Sequence, residues 1–440
     1  MTLHAQIHEW VQRQRPAIID SLRYLVGINT ENLAPRGNEL TGQLAIAGML
    51  RSLGCDVDLY EIDTVPALRD HPRYWAERPC TGRPNVMAIR RGRGQGRSLL
   101  FSSHMDTVPV GPDAWQHKPW AGEVADGKLY GLGAYDMKGG LLASIMTVKA
   151  LNDLGIQLQG DLLVESVVDE EFGGCNGTIA GRLKYNADLA ILPEPTNLKI
   201  CAAHHGGLML RITFNGKAGW GFSPEHPVDP IIAAAHFITM LNDYAVLRQR
   251  NIVVPDIYRG NSGLPILVNQ VKAGDVSLPF FGDRVPGQAW LTTWLETYPG
   301  MTADGVLADL QAYYRYTQSV DGILAAFEPD WTPVRWLDGS AIAVDHPGVK
   351  LISRVTSDVV GQPASVQGAL FACDGHIFNL FSPTPMVLLG PSGGQPHSPD
   401  EYIEIESLFQ LIEVFIRTTL DWCQTVDVHL VDHNTDQRSD

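Results

Sequence analysis

Apolar residues recur at helical spacing over residues 7–26 and again over 38–53, where Gly54 supplies a stop, so the pattern predicts two opening helices. It then changes period. Residues 55–59 alternate like a strand, 85–89 read as another, and 98–102 form a short apolar run of the kind buried on both faces of a sheet. Residues 137–154 return to helical spacing, and the strands expected at 162–168 and 189–192 both end in acidic residues. Alternating strands and helices predict an α/β domain.

From about Gly206 the order changes to strand (208–214), helix (230–246), strands (264–273 and 288–297), helix (303–317) and strand (332–336). That order predicts an inserted α+β domain. A helix at 347–360, an apolar strand at 387–390 and a closing helix at 408–423 return the chain to the first unit. The expected division is therefore 1–205 and 338–440 for the first domain, and 206–337 for the insertion. No internal repeat is visible, and residues 426–440 are polar enough to fray.

At 440 residues the chain is too long for one ordinary core. Its 45% hydrophobic and 19% charged content is that of a soluble protein, with no uninterrupted apolar stretch of bilayer-crossing length. The N-terminus has no basic region followed by an apolar segment, and the expected location is the cytoplasm. Six cysteines without paired spacing fit reduced thiols better than a disulfide framework or a zinc ribbon. A net charge of −16 argues against nucleic acid and anionic membranes as partners, both of which are bound through clustered Lys and Arg. Carboxylates in excess can instead serve as ligands for cations.

Ser103-His104-Met105-Asp106-Thr107-Val108-Pro109 follows the apolar run at 98–102 and sets an imidazole and a carboxylate on the same side at a strand's carboxyl end. A metal-bound imidazole needs a partner that fixes its tautomer, so the pair predicts a metal site. By itself it is equally a hydrogen-bonded surface pair. Asp169-Glu170-Glu171 precedes Phe172-Gly173-Gly174; one glutamate can bind a cation while the other takes a proton from water, although alone the run reads as a solvated acidic turn. Asp136, Glu194 in Pro193-Glu194-Pro195, and His397 beyond a glycine-rich strand exit can reach the same sheet edge, where sites of open α/β sheets gather.

These motifs, with Gly133-Ala134-Tyr135-Asp136-Met137-Lys138-Gly139-Gly140 and His397-Ser398-Pro399-Asp400-Glu401, resemble the metal-dependent aminoacylase and carboxypeptidase superfamily of acetylornithine deacetylase, succinyl-diaminopimelate desuccinylase and carboxypeptidase G. The resemblance covers nearly the whole chain. It implies a metallopeptidase-like catalytic domain, a central mixed sheet flanked by helices, carrying an inserted α+β lid and dimerisation domain. It further implies one or two divalent metal ions held by His104, Glu171, Glu194 and His397 and bridged by Asp136, with Asp106 orienting His104 and Glu170 as general base. Zinc suits mixed imidazole and carboxylate ligands, and cobalt or manganese fits the same set.

The chain departs from that family in its lid. Trp220 stands where a histidine that helps stabilise the oxyanion is expected, leaving His226, His204 or His205 to replace it. Arginines expected to hold a substrate carboxylate are missing from 289–296, which carries Trp290 and Trp294, and from Cys373-Asp374-Gly375-His376, where His376 takes the place. These residues outline a more aromatic, less cationic pocket, unless the tryptophans are lid core or dimer interface; Arg284 is a candidate anion contact. The resulting expectation is a hydrolase of a C–N bond, the amide of an N-acylated small molecule, working by metal-activated water with Glu170 as base, in a homodimer formed through the inserted domain. Two alternatives stay open: hydrolysis of an aromatic amine or ureido compound, and a non-catalytic protein that merely retains and binds metal.

Overall fold

A computed structural model describes residues 2–173, 175–224, 227–260, 263–274 and 283–426. His226 and the polar tail from Asp427 lie outside them. The strands that matter are β1 (Asp56–Glu61), β2 (Pro84–Arg90), β3 (Leu99–His104), β4 (Leu162–Val167), β5 (Leu189–Leu192), β6 (Ile200–Asn215), β7 (Ile266–Ala273), β8 (Gln288–Thr297), β9 (Asp330–Leu337), β10 (Val366–Ala372) and β11 (Met386–Leu388). They belong to one 12-stranded mixed sheet whose main path runs β1-β2-β4-β3-β5-β11-β6-β8-β7.

At its centre β3 lies parallel to β4 and β5, and β11 lies parallel to β5. These strands are buried on both faces, which explains the apolar runs at 99–101, 162–164, 189–192 and 386–388. Successive residues supply opposite layers: Leu99 and Phe101, Leu162 and Val164, and Leu189 and Ile191 enter one core, while Leu100, Leu163, Ala190 and Leu192 enter the other. The first core is covered by the helices α1 (Leu3–Val26), α2 (Leu40–Ser52), α3 (Gly139–Asp153), α7 (Pro347–Val360) and α9 (Ile405–Cys423). Helix α3 is buried almost all round because it lies within that layer rather than on its surface. Phe101 of β3 stacks on Phe415 of α9 with ring centroids 4.4 Å apart.

The second layer contains α4 (Asn176–Lys184) and α8 (Gly375–Phe381), neither of which the apolar pattern announces. Both are short, and the glycines at 177 and 181 blur the period of α4. Strand β10 is likewise missing from the apolar pattern, since Gly368 and two alanines weaken its strand signal.

Strand β6 is twice the expected length, and its partners change along it. Residues up to His205 pair with β10, β11 and Ser340–Ala341; from Gly206 onward the partners are β8 and β9. Beyond that change a separate core forms from Leu208, Leu210, Ile212 and Phe214, covered by α5 (Pro230–Asn251) and α6 (Ala303–Gln318). Helix α5 is long and apolar enough, by length and composition, to cross a membrane. Here it packs Ala233, Phe237, Met240, Leu241 and Tyr244 into that core.

Truncating Phe415 removes a ring from the most extensively buried layer, so Phe415→Ala should lose about 3–5 kcal/mol of stability, read as a lower urea midpoint with the parent's slope.

Candidate metal centre

The carboxyl ends of β3, β4 and β5 open on one edge of the sheet, and each delivers part of the site. His104 is the last residue of β3 and is buried. Its Nδ1 lies 3.0 Å from the backbone carbonyl of Asp106, which can only accept, so Nδ1 carries a proton and Nε2 faces the cluster. The Asp106 carboxylate, expected to orient this ring, is farther away at 3.6 Å. It serves other partners, accepting from Asn32 Nδ2 at 2.6 Å and from the Glu171 backbone N–H at 3.0 Å. Asp106 thus orients His104 through its main chain.

Asp136 sits in the irregular turn Ala134–Lys138 that leads into α3. Glu401 fixes the turn by accepting backbone N–H groups from Gly133, Tyr135 and Asp136 at 3.0, 2.8 and 3.0 Å. The two oxygens of Asp136 face different imidazoles: Oδ1 is 3.3 Å from His104 Nε2, and Oδ2 is 3.3 Å from His397 Nε2. His397 also meets Glu171 at 2.9 Å, while His104 Nε2 has Glu170 and Glu194 each at 3.9 Å.

Glu170 and Glu171 follow Asp169, which is buried and holds a left-handed backbone (φ 74°); His397 does the same (φ 59°). A non-glycine residue pays about 1–3 kcal/mol for that conformation, and the surroundings must hold it there. Glu194 follows β5, where the chain runs so close to Gly390 that a Cβ on that glycine would collide with the Glu194 carbonyl.

The electrostatics favour a cation. Burial pushes Glu194 up to about 8 and raises Glu170 and Glu171, each further crowded by neighbouring carboxylates. Asp374, just before α8, is pushed up to about 7 by burial. Glu171 leads the groups that hold His397 up at about 12, and although burial opposes it, Asp136, Glu170 and Glu194 hold His104 well above the ordinary imidazole range. Buried acids crowded round two imidazoles concentrate negative potential at one point. Among the described residues His104 Nε2, which is buried, has no hydrogen-bond partner. One ligand atom each from His104, Asp136 and Glu171 falls within 4.8 Å of the others, a separation that fits shared cation ligands. The donor set of two imidazoles and several carboxylates fits divalent ions.

Residues 100–421 match peptidase family M20/M25/M40. The chain belongs to that family. It is 24% identical over 447 residues to N-formyl-4-amino-5-aminomethyl-2-methylpyrimidine deformylase of Bacillus subtilis (strain 168), covering 94% of this chain and 96% of that protein. Acetylornithine deacetylase of Proteus mirabilis (strain HI4320) is 29% identical over 421 residues, covering 91% and 97%. Human carnosine dipeptidase 1 shares the fold, with a TM-score of 0.72 at 15% identity over 96% of this chain and 99% of that one.

This M20/M25/M40 member therefore brings His104, Asp136, Glu170, Glu171, Glu194 and His397 together. The expected pocket residues behave differently. His205 is enclosed, 3.3 Å from Glu296 and in ring contact with Tyr258 and Tyr298. His204 pairs with the His205 carbonyl and Ser340, and burial pushes it down to about 3. His376 is buried 6.4 Å from His204 by ring centroids, with Nδ1 on the Cys373 carbonyl and Nε2 unpartnered. Trp220 is half-exposed, pairs with Arg284 in a two-stranded ribbon and meets the Phe222 ring at 5.6 Å. Among the described residues no hydrogen bond, ion pair or ring contact joins Trp220, Arg284 or His205 to the cluster. Trp290 and Trp294 lie on the face of the β8 sheet opposite Ala289, Leu291 and Leu295, outside the insertion's own core.

Sequence reasoning did not assign roles to Asn32, Arg78, Arg83, Asp374 or Glu401. Glu401 stood in a quoted motif, two residues from a proline, and only its three N–H contacts set it apart from a surface acid.

Binding of a cation to the folded state alone adds about 2.7 kcal/mol at a hundred times its dissociation constant. Chelation should therefore lower the melting temperature of the parent, with recovery on adding zinc, cobalt or manganese. Asp136→Asn should blunt both effects in calorimetry.

Proposed function

We propose that the protein is a metal-dependent deacylase that hydrolyses the amide of a small N-acylated amine. The observation that carries this reading is Asp136, whose two oxygens each face a different imidazole, with the Glu170 carboxylate beside one of them. His104, Asp136 and Glu194 would hold one divalent ion, and His397, Asp136 and Glu171 a second; zinc, cobalt and manganese all suit these ligands. When bound, such ions polarise a scissile carbonyl and lower the pKa of water.

Glu170 does the proton work. Burial raises its proton affinity above that of an ordinary glutamate, so it takes a proton from the attacking water and hands it to the leaving nitrogen. The nitrogen leaves as a neutral amine, which spares the site an unstable amide anion. Family membership and the two relatives, a deformylase and a deacetylase, support acyl removal from nitrogen.

Residues 206–337 form the lid in this reading, and the molecule is a homodimer joined through it. Among the described residues β7 pairs on one side alone, and its exposed Leu267, Val268 and Val271 support that assembly. The cytoplasm is the proposed location.

Glu170→Gln should retain bound metal by elemental analysis yet lose roughly 100- to 10,000-fold in kcat, the contribution of a positioned acid–base group. The parent, loaded with cobalt, should hydrolyse at least one compound in a panel of N-formyl and N-acetyl amines, dipeptides, ureido compounds and arylamines. Turnover confined to arylamines would reject the deacylase assignment. Light scattering should give twice the chain mass, and a monomer mass would remove the dimer.

A further inference from the structure

A buried ionic network lies behind the Glu170 loop, and most of it comes from residues far away in the chain. Residues 62–83 connect β1 to β2 and lie across the Asp169–Asn176 region: the Trp75 backbone exchanges hydrogen bonds with the Asn176 side chain at 2.9 and 3.0 Å. From this segment Arg78 Nε donates to Asp169 Oδ1 at 2.7 Å, and Arg83 Nη2 donates to the same oxygen at 2.8 Å. Asn32 Nδ2 adds a third donor at 3.2 Å. Arg83 is itself held by Glu39, and Arg78 by Asn32 Oδ1 and the Leu33 carbonyl. All five side chains are buried.

Two anchors thus bracket one residue. Asp169, in its left-handed conformation, is fixed by its side chain, and Glu171 is fixed by its backbone N–H on Asp106. Asn32 ties the anchors together, since the same amide nitrogen donates to Asp106 Oδ2 and to Asp169 Oδ1. Glu170 is the residue between them. On the far side, Phe172 lies under the Arg78 guanidinium, 3.8 Å from it, with the Trp75 ring at 5.6 Å. Two buried arginines with bidentate or shared carboxylate contacts are costly to desolvate, and this pair is balanced by Asp169 and Glu39 rather than by solvent.

We infer that Arg78, Arg83 and Asn32 are positioning residues for Glu170: they act through Asp169 and Asp106 and set its carboxylate against the cluster. The inference rests on the reading of Glu170 as the base. Arg78 is the member to test, because its fork reaches both Asp169 and Asn32 and a lysine keeps the charge without the fork.

In the full-length protein, Arg78→Met, Arg78→Lys and Phe172→Leu are compared with the parent on whichever panel compound is hydrolysed, with circular dichroism reporting the folded fraction. Per folded molecule, Arg78→Met should lose roughly 10- to 100-fold in kcat while KM moves less than about threefold, and Arg78→Lys should recover most of the loss. The cobalt(II) absorption envelope should change in Arg78→Met, through the displaced Glu171, and return toward the parent's in Arg78→Lys. A kcat per folded molecule within about twofold of the parent, with an unaltered cobalt envelope, overturns the inference. If Arg78→Met does not fold, Phe172→Leu decides. It leaves every charge in place, so a roughly threefold or larger fall in kcat supports the role and an unchanged kcat rejects it. If the parent hydrolyses nothing in the panel, the deacylase reading fails separately, and the cobalt envelopes of the variants still discriminate.

Discussion

Everything about the site follows from Asp136 being shared. A carboxylate with an imidazole on each oxygen, ringed by buried glutamates, is an arrangement in which like charges are held closer than water would allow. The fold bears that repulsion by committing fixed elements to the members of the cluster. A strand end fixes His104, a glutamate gripping three N–H groups of the turn fixes Asp136, and a main chain pressed against Gly390 fixes Glu194. Sheet topology makes this possible, because parallel neighbours end on the same edge and bring residues far apart in sequence to one place.

Charge compensation behind the site matters as much as charge at its surface. Asp106 was read from the sequence as the partner of His104. In the structure its carboxylate instead links the His104 loop to the Glu171 loop, and its carbonyl does the orienting. The same residue therefore serves both halves of the cluster, which explains why an acid two positions after the histidine is useful even where its carboxylate does not hydrogen-bond the ring.

The catalytic layer was legible because its signals are local. Apolar runs bounded by acids marked β4 and β5, and the strong helical period marked α1, α7 and α9 within a few residues of their ends. What escaped has a common cause. Helices α4 and α8 and strand β10 are short, and α4 and β10 are also rich in small residues, so their burial is decided by packing partners rather than by a period. Arg78 and Arg83 sit in an irregular, proline-bearing stretch where a charged residue is ordinarily at the surface, and only tertiary contact reveals them as buried. Trp220 is singled out by comparison with a family pattern, and Arg284 as a candidate anion contact. In the structure the two residues pair with each other in an exposed ribbon.

Strand β6 carries a mechanical implication. The catalytic sheet and the inserted unit are joined by one unbroken strand instead of a flexible linker, and its partners are exchanged at Gly206 and Gly207. At these positions side chains are excluded, since a Cβ on Gly206 would meet the backbone of Leu337 and Gly339 and one on Gly207 would enter the Trp294 ring. A change in the angle between the two units must then be carried as torsion along a hydrogen-bonded ribbon. Such a joint couples the two units through a hydrogen-bonded strand, where a loop would leave them a free pivot.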